Sequence, residues 1–358
     1  MIKKRALIIL PSNTVGGAEK VICSYFNNFK DSKISLKLLV INNKDKINKL
    51  KNRNVINLNY SRFIFSIPKV LNIIKNNKIK IVISTFPNIS AILLMLKYFN
   101  IIDIKIIVRQ PNIIEKSLRG SLKLQLLRNT YKFFIKFTDA VIVTSEFMKE
   151  EILKYKVNKK KVFLLRNPIS IHQIRKGIKP IRLGKDKVKL IFVGRLVYQK
   201  GIDRILHLFI NNKNIELIIV GDGKLRSQLS KKVKDLDIED NIKFLGELSE
   251  PYSLIAGSDY FMLPSRWEGL PNSVLESLAL GTPVLSTKQI YSLYDFKNNI
   301  SNKSIRLYNN IKDLSNKIST LKKRKDYKNP KLRKSLLIEN ISPATFNDKL
   351  NQIIYKII

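Results

Sequence analysis

The chain has 358 residues, 44% of them hydrophobic, and a formal net charge of +40, a size that predicts two domains of ordinary length. The single cysteine, Cys23, excludes a disulfide framework and a cysteine zinc site, and two histidines argue against a histidine-rich metal site. The charge favours anionic partners: phospholipid headgroups, nucleic acid or phosphorylated substrates.

The first half of the chain alternates short apolar runs with helical patterns. Its opening apolar run is short and leads into a glycine loop, so we interpret it as a first strand and not as a signal peptide. Parallel strands that are buried on both faces have continuous apolar sequences. The predicted strands are residues 6–10, 36–41, 79–84, 104–108, 140–143 and 162–165. This βα alternation predicts a doubly wound sheet.

A second βα series follows residues 168–187, a polar segment with two prolines and two glycines that we interpret as a linker. Its predicted strands are residues 189–193, 215–220, 242–245, 260–263 and 284–287. Residues 342–358 predict a helix with Ser342 as its N-cap, a proline at the first helical position, and apolar residues at Phe346, Leu350, Ile353 and Ile354. The expected domains are therefore residues 1–180 and 181–341, followed by this helix.

The second domain opens with a glycine turn that carries two cations. Gly194 and Arg195 follow a predicted strand directly, and Lys200 comes five residues after Arg195. Arginine offers a planar fork for phosphate oxygens and lysine a compact charge. In so basic a chain two cations alone carry little information, and it is the turn that favours a diphosphate site.

Residues 263–287 hold two glutamates eight positions apart. Glu268 lies in a loop between two prolines, and Glu276 lies on the next predicted helix. We expect that helix to start near Asn272, a capping residue type, and to end at Gly281 in the left-handed conformation. Both carboxylates can then face one cleft, beside free backbone N–H groups at the helix start. The alternative is a pair of solvated surface glutamates.

These motifs resemble the nucleotide-sugar site of glycosyltransferase family 4, the retaining GT-B enzymes of bacterial polysaccharide assembly. Residues 264–284 resemble the context of its E-x7-E signature, and residues 194–201 resemble its G-R-L-x-x-x-K-G motif. The resemblance implies an α/β, GT-B fold, in which two Rossmann-like doubly wound domains face a central cleft and the C-terminal helix crosses back to the N-terminal domain.

The resemblance also implies roles for individual residues. Arg195 and Lys200 would hold the diphosphate and Glu268 the donor sugar hydroxyls, which makes these three the catalytic candidates, while Glu276 would contact the ribose. Trp267 and Arg266 flank Glu268 and are candidates for tuning the choice of sugar. The implied donor site comprises Gly16, Gly17, Gly194, Arg195, Lys200, Leu245, Glu268, Gly269, Leu270 and Glu276.

Two segments of the first domain also match. The sequence from Thr14 to Glu19 is similar to the family's G-G-x-E loop, which would place Gly16 and Gly17 against the donor. An ordinary βα turn is the alternative. Arg109 and Asn112 stand where many relatives carry a histidine near the reacting sugar. They are candidates for a sugar or acceptor contact, and a structural role for Arg109 is equally open.

No metal or other cofactor is expected. Asp235 and Asp237 form a D-x-D sequence of the kind that holds Mg²⁺ or Mn²⁺ against a diphosphate. They follow a lysine-rich helical segment, however, so we interpret them as solvated. With Arg195 and Lys200 in the site, the diphosphate has cations without a metal.

The segment 119–138 predicts a basic amphipathic helix. Its basic stripe is Arg128, Lys132 and Lys136, and its apolar face is Leu127, Tyr131 and Phe134, with Phe133 and Phe137 beyond. Such a helix can lie on an anionic membrane. The alternative is a helix that faces the core. Residues 1–180 carry a net charge of +27 against +13 for residues 181–358, and the longest apolar stretch, residues 89–102, is too short and interrupted to span a bilayer. We therefore expect a cytoplasmic protein, peripheral on the inner membrane face.

The sequence thus predicts a retaining, metal-independent glycosyltransferase of cell-surface polysaccharide or lipopolysaccharide assembly. Its donor would be a UDP- or GDP-linked sugar, and its acceptor a glycan or a polyprenyl-diphosphate-linked glycan. The alternatives are a non-enzymatic basic nucleic-acid-binding protein and another GT-B-like enzyme, such as a nucleotide-sugar epimerase. No aromatic–basic nucleic-acid module is present, so we expect no specific nucleic-acid partner.

Overall fold

In the computed structural model the chain forms two compact units. One contains residues 1–168 and 341–358, and the other contains residues 169–340. The structure describes residues 3–12, 16–42, 54–184, 186–299, 304–326, 329–337 and 342–357. The two units are called here the N-terminal and the second domain.

The N-terminal domain has a parallel sheet that, within the described residues, contains seven strands in the order β3-β2-β1-β4-β5-β6-β7. Its strands are β1 (Lys4–Ser12), β2 (Ile34–Asn42), β3 (Val55–Asn57), β4 (Ile81–Ser84), β5 (Lys105–Arg109), β6 (Ala140–Val143) and β7 (Val162–Leu164). The six strands predicted for this half are confirmed. The short edge strand β3 was not predicted, because three residues give no recognisable period.

The helices of the N-terminal domain cover its sheet. They are α1 (Gly17–Asn27), α2 (Phe63–Asn76), α3 (Pro87–Tyr98), α4 (Ile114–Ser117), α5 (Leu122–Phe134), α6 (Glu146–Leu153) and the C-terminal α12 (Pro343–Ile357). Short 3-10 helices follow at Ile135–Phe137 and Lys159–Lys161.

Helix α12 belongs to the N-terminal domain, as predicted. The hydroxyl of Ser342 accepts a hydrogen bond from the Thr345 backbone N–H at 3.0 Å, so it caps the helix. The predicted apolar residues of α12 are buried against the core that also contains helix α1. Across this contact the Tyr25 hydroxyl donates to Asn351 Oδ1 at 2.7 Å. The return helix therefore completes the hydrophobic core of the first sheet.

The second domain has a six-stranded parallel sheet within the described residues, in the order β10-β9-β8-β11-β12-β13. Its strands are β8 (Val188–Val193), β9 (Ile215–Val220), β10 (Ile242–Gly246), β11 (Tyr260–Leu263), β12 (Val284–Thr287) and β13 (Ile305–Tyr308). Five of these were predicted, and β13 was missed. Starting from its first strand, the sheet has the order 3-2-1-4-5-6 of a Rossmann-like doubly wound domain.

The connections of the second domain contain both α-helices and 3-10 helices. Its α-helices are α7 (Ile171–Arg175), α8 (Arg226–Asp235), α9 (Tyr252–Gly257), α10 (Asn272–Ala279) and α11 (Ile311–Ser319). Its 3-10 helices are Tyr198–Lys200, Ile202–Arg204, Leu206–Phe209, Glu239–Asn241 and Tyr291–Asn299. After β8 the chain therefore runs through three successive 3-10 helices where a regular crossover helix is the usual element.

The segment interpreted as a linker is part of the second domain. The division between the units falls after Pro168, twelve residues before the predicted boundary at residue 180. Residues 171–175 form helix α7, and the Arg175 guanidinium donates to the Ala279 carbonyl at 2.7 Å. Ile169 is buried in the second core, and further isoleucines of this segment pack against it. Because the segment is polar overall, the sequence did not identify Ile169, Ile171, Ile174 and Ile178 as core residues.

No helix in the described part of the chain combines the length and the apolar character that crossing a bilayer requires.

Candidate functional site

The predicted donor-site residues of the second domain lie at the carboxyl ends of its strands. Most are in the loops after the neighbouring strands β8 and β11, and Leu245 is near the end of β10. This edge is where open α/β sheets bind ligands. The loops after β8 and β9 touch: the Leu196 backbone N–H donates to the Asp222 carbonyl at 2.8 Å. A Cβ on Gly221, whose φ is +132°, would collide with the Gly194 carbonyl oxygen. These glycines therefore allow the two backbones to meet at the edge of the site.

Lys200 and Glu268 form a largely buried ion pair. Lys200 Nζ lies 2.6 Å from Glu268 Oε1, and their side chains are 15% and 7% exposed. The same carboxylate accepts hydrogen bonds from Ser265 Oγ at 2.8 Å and from Gln199 Nε2 at 3.2 Å. The structure thus brings together two of the three catalytic candidates. The third, Arg195, is exposed in the same loop after β8.

A second ion pair holds the two loops that carry Lys200 and Glu268. The Arg266 guanidinium donates to both carboxylate oxygens of Asp203, at 2.8 and 2.6 Å, and stacks on the Tyr198 ring at 3.8 Å. The backbone of Arg266 also donates to the Gln199 carbonyl at 2.7 Å. Arg266 is therefore engaged within the protein. Asp203, Gln199 and Ser265 were not among the predicted site residues. Ser265 is the serine of the motif in residues 264–284, whereas Asp203 and Gln199 match no named position of a family motif.

Glu276 lies one turn into helix α10, which runs from Asn272 to Ala279. The helix starts where predicted, but its N-cap is Pro271, which makes no side-chain cap bond, and Asn272 is the first helical residue. Gly281 ends it with a φ of +81°, as predicted. Glu276 is half-buried. The pKa of Tyr252 is raised to about 12, mainly by burial and to a smaller extent by the negative charge of Glu276.

The remaining donor-site candidates of this domain differ in exposure. Gly269 and Leu270 are both buried, and Leu270 packs in the core beneath the loop. Leu245 is exposed near the end of β10, next to Gly246, whose carbonyl accepts from the Gly221 backbone N–H at 2.6 Å. Leu245 thus lies at the same edge of the sheet, whereas the Leu270 side chain supports the loop from below.

In the N-terminal domain the predicted glycine loop leads into helix α1. Gly16 is the N-cap, and the helix starts at Gly17. Thr14 and Val15 lie outside the described residues. A Cβ on Gly16 would collide with the Glu19 carboxylate, so that side chain folds back toward the start of its own helix. A glutamate at this third helical position is typical of the capping-box arrangement.

Arg109 is the last residue of strand β5 and Asn112 follows the strand, and the two have different environments. Arg109 is 1% exposed, and its Nη2 donates to Asn167 Oδ1 at 2.7 Å. Asn112 is half-buried, and its Oδ1 accepts from the Ile113 backbone N–H at 2.9 Å. Gln110 lies between them, and its Oε1 accepts from the Tyr131 hydroxyl at 2.7 Å. The strand end is thus a buried polar network.

Asp235 and Asp237 are exposed at the C-terminal end of helix α8. That helix end leads into β10, so the two carboxylates lie near the amino ends of the strands, away from the loops that carry Lys200 and Glu268. This placement agrees with their interpretation as solvated residues. Among the residues that the structure describes, no group of three or more His, Cys, Asp or Glu side chains is placed to hold a metal ion.

The segment predicted as an amphipathic helix, residues 119–138, forms helix α5 and the 3-10 turn Ile135–Phe137. Its predicted apolar face turns inward: Tyr131 is fully buried, and Leu127 and Phe134 are half-buried. Two of the three basic residues, Arg128 and Lys132, pair with Glu115. The prediction of the outward face was therefore wrong, because periodicity does not tell which apolar face meets the core. Helix α5 exposes Phe133, which was predicted beyond that apolar face, and also Leu122 and Leu126, which were not named in the prediction.

Two family models match the chain in succession. Residues 15–173 match Glycosyltransferase Family 4, and residues 173–340 match Glycosyl transferases group 1. Among curated proteins, an uncharacterized glycosyltransferase of Methanocaldococcus jannaschii is 32% identical over 235 residues, which are 61% of this chain and 58% of that protein.

Another relative carries a fuller name. The N-acetylgalactosamine-N,N'-diacetylbacillosaminyl-diphospho-undecaprenol 4-alpha-N-acetylgalactosaminyltransferase of Campylobacter jejuni is 30% identical over 42% of this chain and 41% of its own length. The chain therefore matches less than two thirds of the length of these curated relatives.

Solved structures with the same fold match over the whole chain. The Anabaena HepE protein in complex with UDP-glucose superposes with a TM-score of 0.76 at 15% identity, covering 98% of this chain and 99% of that one. The lipopolysaccharide outer core galactosyltransferase WaaB gives a TM-score of 0.69 at 19% identity, covering 99% and 100%. At these identities the likeness concerns the fold alone.

Proposed function

Because the chain belongs to the family 4 type of glycosyltransferases and has their GT-B fold, we propose that it transfers a sugar from a UDP- or GDP-linked donor with retention of the anomeric configuration. The acceptor is a glycan or a polyprenyl-diphosphate-linked glycan in cell-surface polysaccharide assembly. The named relatives that act in lipopolysaccharide core and O-antigen biosynthesis support this class of acceptor. Both matched family models describe glycosyltransferases, which favours transfer over nucleic-acid binding or epimerisation.

The observation that carries the proposal is the Lys200–Glu268 pair at the carboxyl edge of the second sheet. A buried carboxylate held by a lysine, a serine and a glutamine is fixed in position, and sugar hydroxyls can donate to its oxygens. The Lys200 ammonium beside it and the exposed Arg195 supply positive charge for a leaving diphosphate. Glu276, on the helix that follows the same loop, is the candidate partner of the ribose hydroxyls.

In the proposed reaction the bond from the anomeric carbon to the diphosphate oxygen breaks while Arg195 and Lys200 neutralise the leaving diphosphate. The acceptor hydroxyl attacks from the face that the diphosphate leaves, and a diphosphate oxygen takes the hydroxyl proton. We propose that these side chains supply enough positive charge for the step to proceed without a divalent metal.

A transfer assay in the presence of EDTA, with the product examined by NMR, tests this mechanism. We expect activity that EDTA does not reduce and a product with the donor's anomeric configuration. Glu268→Ala should mainly slow transfer, whereas Glu276→Ala should mainly weaken donor binding. An inverted product would contradict the retaining mechanism, and activity restored only by Mg²⁺ or Mn²⁺ would contradict metal independence.

We further propose that the N-terminal domain binds the anionic membrane surface that displays such acceptors. The supporting feature is a set of exposed apolar side chains at helix α5 and the end of α3, called here the apolar patch: Tyr98, Phe99, Ile101, Leu122, Leu126 and Phe133. Helices α3 and α5 pack together, and the rings of Tyr98 and Phe133 meet edge to face with their centroids 6.3 Å apart. Lys136 lies over the Phe133 ring at 4.4 Å, so positive charge borders the patch. Exposed apolar side chains bordered by a cation suit the interface of an anionic bilayer.

Vesicle flotation tests the membrane proposal. The Leu122→Glu/Leu126→Glu variant should lose binding to anionic vesicles at physiological salt, because both side chains are exposed and the change adds two negative charges. The matched control is Ile210→Glu/Leu248→Glu, which alters two exposed aliphatic residues of the second domain by the same charge. Equal flotation of wild type and the first variant would exclude the patch as the binding surface.

A further inference from the structure

Arg109 is the largest fully buried side chain of the described residues, and most of its hydrogen-bonding capacity is unused. Its Nη2 donates to Asn167, but Nε and Nη1 have no acceptor. A guanidinium carries five N–H donors, of which Nε holds one and Nη1 two. Leaving buried donors without acceptors destabilises a fold, so the arrangement requires an explanation outside the folding of this domain.

Arg324, in the second domain, shows what a structural arginine looks like in this chain. It is buried as well, yet all three of its nitrogens are bonded. Nε and Nη2 donate to the two carboxylate oxygens of Asp326, at 2.7 and 2.8 Å, and Nη1 donates to the Ala256 carbonyl at 2.6 Å. Arg109 has no such carboxylate partner, and the difference marks it as a residue held ready for a ligand.

The position of Arg109 also suits an anion. It is the last residue of β5, so it lies at the carboxyl edge of its sheet, the edge from which helix α1 starts. The backbone N–H groups at the start of α1 add a partial positive charge there. The charge of Glu19, on the first turn of α1, is close enough to act on Arg109, although burial has the larger effect and lowers the pKa of the guanidinium to about 10. The group remains a cation at neutral pH.

We infer that Arg109 binds a phosphate oxyanion of the substrate, with Asn167 holding the guanidinium in position and the start of helix α1 adding to the positive potential. The inference rests on the proposed function for the identity of the ligand, since both a nucleotide-sugar donor and a polyprenyl-diphosphate acceptor carry a diphosphate. Arg109, predicted from the sequence as a candidate for a sugar or acceptor contact, is thereby assigned an anion contact. Glu19 opposes the anion electrostatically, which favours a ligand that carries more than one negative charge.

The test compares Arg109→Gln and Arg109→Lys with Arg5→Gln. Arg5 belongs to the same domain and carries the same charge, but it is exposed near the amino end of β1, on the opposite edge of the sheet. Binding of UDP, of farnesyl diphosphate and of inorganic pyrophosphate is measured by calorimetry at constant ionic strength. We expect Arg109→Gln to weaken the binding of at least one of these ligands by about tenfold to a hundredfold, as for a lost charge-assisted hydrogen bond. The affinity of Arg109→Lys should lie between those of Arg109→Gln and the wild type, and Arg5→Gln should bind the ligands as the wild type does.

The three ligands distinguish the sources of the anion. A loss of affinity for UDP alone would show that Arg109 binds the donor diphosphate. A loss of affinity for farnesyl diphosphate alone would show that it binds the diphosphate of the acceptor. Pyrophosphate reports on the oxyanion site even if no nucleotide binds, so failure of the proposed function stays separate from failure of this inference. Binding of all three ligands by Arg109→Gln with wild-type affinity would overturn it.

Thermal unfolding without ligand gives a second, independent readout. Because Arg109 leaves donors unsatisfied, Arg109→Gln should keep the melting temperature of the wild type or raise it, whereas Arg324→Gln should lower it. If the melting temperature falls as much in Arg109→Gln as in Arg324→Gln, Arg109 has a structural role, and the inference is overturned.

Discussion

Lys200 and Glu268 should be strongly coupled in stability, and a double-mutant cycle measures the coupling. At 2.6 Å and an effective dielectric constant of about 20, the attraction between the charges is about 6 kcal/mol, and the cost of removing both ions from water offsets much of it. Removing one partner leaves the other buried and uncompensated, which typically costs about 3–5 kcal/mol. Lys200→Met and Glu268→Leu should each lower the free energy of unfolding by about 3 kcal/mol. This value is at the lower end of that range because the Lys200 side chain is partly exposed.

The double variant Lys200→Met/Glu268→Leu should recover most of this loss, since apolar residues of similar volume often replace a buried ion pair without cost. Urea unfolding followed by circular dichroism gives the four free energies of unfolding. Single-mutant effects that simply add in the double variant, with a coupling energy below about 0.5 kcal/mol, would refute the buried-pair account. The double variant should also lose donor binding while it stays folded.

Lys189 and Glu216 provide the matched control for this cycle. They form a pair of similar burial in the same domain, with 3.0 Å between Nζ and Oε2, but Lys189 lies near the amino end of β8, away from the site. The corresponding double variant should leave nucleotide affinity unchanged. A loss of nucleotide affinity there would show that general destabilisation, and not the lost pair, explains the effect at Lys200 and Glu268.

Three further predictions concern the loops and the C-terminal helix. Gly201→Ala should destabilise the protein by clearly more than Gly177→Ala, because both glycines have a φ near +70° but only at Gly201 would a Cβ collide with a backbone carbonyl; equal melting temperatures would contradict this. Burial acts to raise the pKa of Asp203, but the hydrogen bonds and charge of the Arg266 guanidinium outweigh it, so the pKa is lowered. The pair therefore stabilises the protein above the unfolded-state pKa and less as the pH falls through the folded-state value. Asp203→Asn should therefore reduce stability at neutral pH and flatten its acid dependence, and an unchanged pH profile of urea unfolding would argue against the pair. Ser342→Ala should cost about 1 kcal/mol as a lost N-cap, and an unchanged unfolding midpoint would exclude the cap.

The sequence was sufficient for the sheets because their central strands are continuous apolar runs. Residues 6–10 and 217–220, for example, are apolar and buried throughout, and such runs have few alternative interpretations. The short strands β3 and β13 lie at sheet edges, where fewer residues need to be apolar, and they gave no comparable signal. The direction in which helix α5 faces depends on its packing against α3, which periodicity alone does not determine.

The candidate site was predictable only where a motif named the residue. Lys200, Glu268 and Glu276 were identified because their local sequences match a family pattern. Contacts between distant parts of the chain gave no such signal: Arg266 and its partner Asp203 are 63 residues apart, and Arg109 and Asn167 are 58 apart. Arg266 and Asp203 follow the neighbouring strands β11 and β8, whereas Arg109 ends β5 and Asn167 follows β7, with β6 between them in the sheet. The strand order brings these partners together, and neither partner has a sequence context that predicts the other.

Calorimetric titration of the wild type and of Glu276→Ala with UDP, GDP and their common sugar conjugates tests the central claim most directly. The account predicts that the wild type binds one nucleotide family selectively, in the presence of EDTA, and that Glu276→Ala weakens this binding. Binding of none of them by the wild type, or an affinity unchanged in Glu276→Ala, would contradict a donor site at the carboxyl edge of the second sheet.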